Sequence, residues 1–276
     1  MHIGDCIFSN IKTTKALWEV TTHCPLACRH CSMNSGPRWN AFFELDLMDS
    51  VLDQLAARAV SKVVLSGGEP FTHPDLATIV AGCVRAGLEV SVSTSGSTVR
   101  LVDFDHCVSN GLRKLTISAD GTPATHDARR GPRTHEAMLR LLTHATARDI
   151  EVTLNLVIGP DTSGPDLVAV AELAENSGIR SVVFCLEIDS GRGRGCQPVD
   201  SVYAALAELK SRPPSTARLS FLAPQCNTAA CPSGRTIYHV DTRGVVHDRC
   251  VYKERVRSTP APILVDLQDM RREVIS

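Results

Sequence analysis

Three cysteines near the amino end of the chain are spaced closely enough to bind one inorganic centre. Cys24, Cys28 and Cys31 form a C-x3-C-x2-C pattern within eight residues. Thiolates prefer soft metals, chiefly zinc or the iron of iron–sulfur clusters. A single structural zinc would need a fourth ligand, for which His23 or His30 could serve. The spacing favours an iron–sulfur cluster over zinc.

A second group of cysteines, Cys226, Cys231 and Cys250, lies near the carboxyl end of the chain. The chain has 11 cysteines in 276 residues and no basic stretch followed by an apolar one at its start. We therefore expect a cytoplasmic protein that uses cysteines for metal or redox chemistry rather than for disulfides. Cys83, in a predicted helix, and Cys107, between a helix and a strand, are interpreted as small core residues.

The segments that must position these residues alternate between strand and helix about six times. This alternation predicts an α/β fold with parallel strands joined by right-handed crossover helices. Strands are predicted at residues 18–23, 62–65, 88–93, 113–118, 151–158 and 181–188, and helices at 45–59, 74–86, 134–148 and 166–177.

Glycine-rich and polar loops follow the second, third and fourth of these strands. They are SGGEP at 66–70, TSG at 94–96 and ADG at 119–121. The carboxyl ends of parallel strands lie at one edge of the sheet, where such folds carry their chemistry. We therefore expect the functional groups to gather at that edge.

The strand and helix pattern changes after about residue 212. A hairpin is predicted from residues 235–240 and 245–247, between Cys231 and Cys250. We divide the chain into an extension at 1–15, a main domain at 16–212 and a small unit at 213–276.

Composition excludes several functional classes. The chain is 43% hydrophobic and 21% charged, with a net charge of -1 from 29 basic and 30 acidic residues. A balance this close to zero argues against nucleic acid or an anionic membrane as the partner. No apolar run approaches the roughly 20 residues that span a bilayer.

With its motifs in this order, the sequence resembles the radical S-adenosylmethionine (radical SAM) superfamily. The matching segments are the C-x3-C-x2-C pattern, GGEP at 67–70, TSG at 94–96, ISADG at 117–121 and HDxxRG at 126–131. The resemblance runs from about residue 16 to 188. It implies a partial (β/α)6 barrel, open on one side, that holds a [4Fe-4S] cluster. Cys24, Cys28 and Cys31 would bind three irons, and SAM would chelate the fourth.

The implied chemistry is reductive cleavage of SAM to methionine and a 5′-deoxyadenosyl radical, which takes a hydrogen atom from the substrate. By the same resemblance, Gly67 and Gly68 let the backbone approach the methionyl ammonium of SAM, and Glu69 pairs with that ammonium. Ser95 is a candidate contact to the ribose. The TSG here replaces the commoner TNG, so any contact from an asparagine amide is lost.

Three further residues receive roles from the resemblance. Ser118 would hydrogen-bond the ribose or carboxylate of SAM, and Arg130 would pair with the carboxylate, with a surface ion pair as its alternative. His30 occupies a position where the family usually has an aromatic residue. It would stack near the adenine or cover the cluster.

The carboxyl-terminal cysteines resemble the SPASM extension of this superfamily, or its shortened twitch form, which binds an auxiliary cluster. We expect a second [4Fe-4S] cluster on Cys226, Cys231 and Cys250, with Cys185 or Cys196 as the fourth ligand or with an open site. Two departures favour the twitch form: the spacing before Cys250 is G-x5-C instead of G-x4-C, and no cysteine follows. A structural zinc and a metal-free unit are the alternatives.

Several residues are candidates for contact with the substrate. Cys185, Glu187 and Asp189 alternate along the sixth predicted strand and so share one face. If that face lines the barrel, Glu187 and Asp189 contact the substrate; in the alternative, Phe184, Leu186 and Ile188 face inward. Asn155 is a further candidate on the fifth strand. Cys185 or Cys250 could also donate a hydrogen atom to a substrate radical.

The sequence therefore predicts a radical SAM oxidoreductase or epimerase that acts on an unactivated C–H bond of a specialised metabolite. The lack of a separate peptide-recognition domain before residue 16 slightly favours a sugar or aminocyclitol over a peptide, with a maturase of ribosomal peptides as the alternative. A flavodoxin or ferredoxin would supply electrons, as the resemblance implies. A non-enzymatic zinc-binding module is the alternative from another class.

Overall fold

The computed structural model describes residues 14–195, 200–211, 214, 217–222 and 236–248. Its strands are β1 (Thr14–Thr21), β2 (Val60–Gly67), β3 (Glu89–Thr94), β4 (Lys114–Ser118), β5 (Glu151–Ile158), β6 (Ser181–Leu186), β7 (Arg218–Leu222), β8 (Ile237–Val240) and β9 (Val246–His247). Its helices are α1 (Met48–Ala57), α2 (Leu76–Arg85), α3 (Leu101–Ser109), α4 (Pro123–Arg130), α5 (Thr134–Thr146), α6 (Gly164–Asn176) and α7 (Asp200–Ser211).

Strands β1 to β6 lie side by side in chain order, and each pairs in parallel with the next. Helices connect successive strands, as parallel pairing requires. This arrangement confirms the α/β fold with a partial barrel that the sequence predicted.

The two faces of the sheet differ in burial. Along β5, Val152, Leu154, Leu156 and Ile158 are buried in the core, which also contains the apolar faces of the helices. The intervening positions, Thr153, Asn155 and Val157, are half-buried on the opposite face. That opposite face lines the interior of the open barrel. We call this interior the lumen.

The sheet continues beyond the six barrel strands at both edges. Strand β7 pairs in parallel with β6, and β8 pairs in parallel with β1. Strand β9 pairs antiparallel with β8, so the predicted hairpin is present. The predicted boundary at residues 212 and 213 therefore lies between strands of one continuous sheet, and the domain division itself stays a prediction.

Several predicted boundaries differ from the structure; β1, for example, covers Thr14–Thr21 rather than residues 18–23. Strand β6 ends at Leu186 rather than at residue 188, because the chain turns back where the Ser190 amide donates to the Ile188 carbonyl at 2.8 Å. Cys107 lies inside helix α3 rather than between elements. It is buried, as is Cys83 in α2, so both are core residues as expected.

The amino ends of the central strands carry a ladder of ion pairs. Glu89 accepts from Lys62 at 3.2 Å and from Lys114 at 3.1 Å, and Lys114 also pairs with Glu151 at 3.1 Å. These side chains are well exposed, so the ladder adds little stability. None of the described helices is long and apolar enough to cross a bilayer.

Candidate active site

The three amino-terminal cysteines lie in the loop that follows β1, which we call the cysteine loop (residues 24–36). Their thiols are free; Cys28 is buried, and Cys24 and Cys31 are half-buried. Two successive turns shape the loop, because the Cys31 amide donates to the Cys28 carbonyl at 3.3 Å and the Asn34 amide donates to the Cys31 carbonyl at 3.2 Å. The local spacing thus folds the three thiols into one short loop.

The loop that follows β2 packs directly on the cysteine loop. The Gly68 amide donates to the Thr21 carbonyl at 2.7 Å, and the Glu69 amide donates to the His23 carbonyl at 2.8 Å. A Cβ on Gly68 would lie far inside contact distance of the His23 carbonyl oxygen, and one on Gly67 would collide with that of Thr21. Only glycine permits this approach of the two backbones.

The carboxylate of Glu69 is held by neutral donors. One oxygen accepts from the Thr94 hydroxyl at 2.7 Å and the Phe71 amide at 3.4 Å. The other accepts from the Ser95 hydroxyl at 2.7 Å and the Ser95 amide at 3.0 Å. Glu69 is 1% exposed. These bonds fix the carboxylate but do not balance its charge, so a cation bound beside it would be favoured.

A buried ion network lies under the cysteine loop. Asp120, at the end of β4, accepts from the Arg130 guanidinium at 2.6 Å and lies 3.9 Å from that of Arg129. Burial by itself would raise the pKa of Asp120, but Arg130, His30 and Arg129 together hold that pKa well below its usual value. Asp120 is therefore ionised and joins β4, α4 and the cysteine loop.

His30 meets this network from the cysteine loop. Burial and the neighbouring arginines lower the pKa of His30 to about 3, so the ring is neutral near pH 7. The Arg130 guanidinium, which can only donate, lies 3.2 Å from Nε2 of His30. Nε2 also lies 3.4 Å from Oδ2 of Asp120, and Nδ1 is buried with no hydrogen-bond partner among the described residues.

Residues on the lumen face of β4, β5 and β6 lie next to one another. Ser118 pairs in register with Asn155, and the Cys185 thiol lies 3.5 Å from Oδ1 of Asn155. Burial raises the pKa of Cys185 to about 11, so the thiol is protonated. Phe184 and Leu186 point into the core instead. Cys185 therefore lies on the face that lines the lumen.

Glu187 and Asp189 lie beyond the end of β6, so the alternation that grouped them with Cys185 does not reach them. The Glu187 carboxylate is buried, lies 3.4 Å from the Arg129 guanidinium and accepts from the Arg194 amide at 2.7 Å. It therefore fixes the loop after β6. Contact of either carboxylate with a substrate stays a prediction.

The predicted cofactor contacts of Ser95 and Arg130 also stay predictions. The Ser95 hydroxyl donates to Glu69, and Nε of Arg130 donates to Asp120. Cys196, Cys226, Cys231 and Cys250 lie outside the described residues, and with them the proposed auxiliary cluster.

Sequence reasoning assigned no role to Asp120, Arg129 or Arg192, all of which hold the site together in the structure. Asp120 stands within the ADG segment, and Arg129 directly precedes Arg130, so the motifs contained both. Arg192 lies in the segment GRGRG at 191–195, whose sequence alone predicts a flexible turn. Nothing local in these segments shows which distant groups they bind.

Taken together, the fold and the thiol loop define an open α/β barrel protein with a candidate metal centre at the carboxyl ends of its strands. Residues 18–174, more than half of the chain, match the Radical SAM superfamily. The chain therefore belongs to the radical SAM superfamily and is a radical SAM enzyme.

Curated relatives agree with this membership. The Fe-coproporphyrin III synthase of Methanosarcina barkeri is 28% identical over 191 residues, which are 67% of this chain and 47% of that protein. The PqqA peptide cyclase of Ruegeria pomeroyi is 34% identical over 176 residues, which are 62% of this chain and 46% of that protein. The chain thus spans about half the length of the curated relatives it matches.

Solved structures share the fold. Streptococcus suis SuiB bound to S-adenosylmethionine gives a TM-score of 0.72 at 13% identity, covering 94% of this chain and 65% of that one. The structure of anSMEcpe with bound AdoMet and a peptide gives 0.64 at 12% identity, covering 94% of this chain and 78% of that one. The relatives are of the SPASM and twitch type, as the resemblance predicted.

Membership in the superfamily implies SAM and a [4Fe-4S] cluster. The donor set fits both: three free thiols in one loop suit iron, and the buried carboxylate of Glu69 suits an ammonium group. In the part of the chain that the structure describes, no three His, Cys, Asp or Glu side chains converge closely enough to bind a single metal ion. A cluster needs no such convergence, because its thiolates bind separate irons.

Proposed function

We propose that this enzyme binds a [4Fe-4S] cluster through Cys24, Cys28 and Cys31 and binds SAM beside it through Glu69. The observation that carries the proposal is the contact between the two loops. The amide of Glu69 bonds to the His23 carbonyl, one residue before Cys24, so the loop that carries the buried carboxylate meets the loop that carries the thiols. The negative charge of Glu69 is one cause of the raised pKa of Cys24.

When bound and reduced, a cluster held by these thiols would supply the electron for reductive cleavage of SAM, and the resulting radical chemistry would remove a hydrogen atom from the substrate. The chain's own residues bind and orient. Glu69 would accept hydrogen bonds from the SAM ammonium, with Thr94 and Ser95 holding its two oxygens in place. Burial raises the pKa of Cys24 to about 12, so iron binding must displace the thiol proton.

The carboxylate and ribose of SAM would extend toward β4. Ser118 ends that strand, and Arg130 carries its positive charge next to Cys28 and Cys31. Asp120 accepts from Nε of Arg130, and one terminal nitrogen lies 3.2 Å from Nε2 of His30, which would leave the other terminal nitrogen to orient the ligand carboxylate. Asp120 thus sets the direction of Arg130 without contacting SAM.

The substrate would enter the lumen and meet Asn155 and Cys185, whose thiol is protonated and could donate a hydrogen atom. We place the substrate among specialised metabolites. The names of two relatives, a PqqA peptide cyclase and SuiB bound to the precursor peptide SuiA, favour a peptide over a sugar or aminocyclitol. An auxiliary cluster on Cys226, Cys231 and Cys250 and a flavodoxin or ferredoxin as electron donor complete the proposal.

The test is SAM cleavage by anaerobically reconstituted protein under dithionite. The unaltered protein should release 5′-deoxyadenosine, and a variant with Cys24→Ala, Cys28→Ala and Cys31→Ala should release none, because no ligands for the catalytic cluster remain. Cys83→Ala, which removes a buried thiol from helix α2, is the matched control and should remain active. Deoxyadenosine at the wild-type level from the triple variant would overturn the assignment.

A further inference from the structure

The loop after β6 crosses the barrel rim and binds the cysteine loop. We call its residues 190–192 the clasp. The Arg192 amide donates to the Cys31 carbonyl at 2.9 Å, and the Ser190 hydroxyl donates to the Ser32 carbonyl at 3.1 Å. Between them, a Cβ on Gly191 would lie within 2.6 Å of the Ser32 carbonyl oxygen. The two backbones therefore touch over the stretch that contains the third cysteine.

The side chain of Arg192 extends this contact along the cysteine loop. Its Nε donates to the Cys28 carbonyl at 2.8 Å, and one terminal nitrogen donates to the Ser35 carbonyl at 2.6 Å. The other terminal nitrogen donates to Oδ1 of Asn34 at 3.0 Å. The acceptors are carbonyl and amide oxygens on both sides of Cys31, so the guanidinium ties together the turns that carry the thiols.

We propose that Arg192 is a positioning residue for the iron–sulfur cluster: its planar fork holds the cysteine loop in the conformation that presents Cys28 and Cys31. The inference rests on the proposed function, in which those thiols bind iron. Groups that hydrogen-bond metal-binding residues contribute strongly to metal retention. A lysine at position 192 would keep the positive charge but could make only some of the hydrogen bonds of the planar guanidinium.

The position of the clasp explains why an arginine from so distant a segment is needed. Strands β1 and β6 are separated by four strands in the sheet, and their loops meet only because the sheet curves. Within the cysteine loop the amide bonds are long, at 3.2 to 3.4 Å, and α4 holds the loop only at Arg29, whose amide donates to the Arg129 carbonyl and whose guanidinium donates to the Ala128 carbonyl. The clasp adds bonds to the stretch around Cys31 from the other end of the barrel sheet.

The experiment compares Arg192→Ala, Arg192→Lys and the matched control Arg194→Ala after anaerobic reconstitution. Arg194 lies in the same segment, its side chain is exposed, and its amide rather than its side chain bonds Glu187. Iron release is followed with ferrozine, and the reduced cluster is followed by EPR with and without SAM. Circular dichroism of each apo-protein checks that the variants fold.

Arg192→Ala should release iron at least about tenfold faster than the unaltered protein and should lose the SAM-responsive EPR signal first. Arg192→Lys should release iron at an intermediate rate, and Arg194→Ala should release it at the rate of the unaltered protein. If Arg192→Ala retains iron and the EPR signal as Arg194→Ala does, the clasp has no positioning role, although the cluster assignment stands. If the unaltered protein shows no SAM-responsive signal, the proposed function fails instead.

Discussion

At the scale of single residues, Asp120 joins three parts of the site although no motif assigned it a role. Its side chain is fully buried and is surrounded by Arg130, Arg129 and His30. Loss of the Asp120 charge would leave the buried Arg130 guanidinium without its carboxylate partner, whereas Arg129 would still pair with Glu187 at 3.4 Å. The network therefore fixes β4 to α4 and to the cysteine loop together.

Asp120→Asn should lower the free energy of unfolding of the apo-protein by about 3 to 5 kcal/mol, because it breaks a buried ion network on one side. Asp161→Asn is the matched control: Asp161 also pairs with Arg129, at 3.5 Å, but its side chain is 47% exposed. Because water solvates the exposed Asp161 carboxylate, removing its charge should cost only about 0 to 1 kcal/mol, although Arg129 itself is buried. Urea unfolding measures both, and equal losses would contradict the network's importance.

His30 illustrates how neighbours determine the state of a side chain. Its position next to Cys31 suggests an aromatic contact, but Nε2 of the ring lies 3.2 Å from the Arg130 guanidinium and 3.4 Å from the Asp120 carboxylate. Burial of the ring, together with the neighbouring arginines, keeps it neutral near pH 7, so it adds no charge beside the thiols. Arg130, which stands 100 positions away along the chain, is one of these neighbours.

At the scale of elements, the decisive contact is the one between the loops after β1 and β2. The backbone bonds from Gly68 and Glu69 bring a buried acid to the thiols, and there is no room for a Cβ between the loops. The arrangement of the site depends on how closely the two backbones approach, and this approach is possible because Gly67 and Gly68 have no Cβ.

Gly68→Ala should destabilise the protein by about 1 to 3 kcal/mol and weaken SAM binding, because a carbonyl oxygen rather than a flexible side chain blocks the new methyl group. Gly36→Ala is the control within the cysteine loop, since its Cβ would have no neighbour closer than 3.9 Å. Thermal unfolding and equilibrium binding of SAM to reconstituted protein test the pair. Wild-type SAM affinity in Gly68→Ala would show that the loops can separate without cost.

At the scale of the whole molecule, the two ends of the barrel are chemically different. The amino ends of the strands carry the exposed ladder of Lys62, Glu89, Lys114 and Glu151. The carboxyl ends carry the thiols and the buried network. Salt screens the charges at the exposed end, whereas it screens those at the buried end much less. The pH dependence of stability should therefore come from the buried end.

The pKa values of His30 and His126 in the folded protein are lowered to about 3 and about 4, chiefly by burial. The unfolded chain takes up protons at these residues below about pH 6.5, whereas the folded protein does not. The free energy of unfolding should therefore be largest near pH 7.5 and should decrease as the pH drops toward 4, by up to about 1.4 kcal/mol per pH unit for each histidine.

Urea unfolding of the apo-protein at pH 7.5, 6.0 and 5.0 measures this loss. The same series in 1 M salt is the control, since an effect of burial persists when surface pairs are screened. A free energy of unfolding that stays constant down to pH 5.0 would show that these histidines are accessible to protons in the folded state.

The sequence by itself determined the fold class, the order of the functional loops and the three thiols, because these depend on spacing along the chain. The alternation of strand and helix fixes a parallel sheet, and parallel strands place their loops at one edge. The length of β6 and the setting of Cys107 were misjudged, since a turn and a helix end depend on neighbours that the local pattern does not contain.

Only the tertiary structure decided how the loops hold one another. Arg192 reaches the Cys28 carbonyl across 164 positions of sequence, and Ser95 reaches Glu69 across 26. Whether such groups meet depends on the curvature and packing of the whole sheet, which set distances to a few tenths of an ångström. Spacing along the chain specifies which residues share a loop; packing specifies which loops share a site.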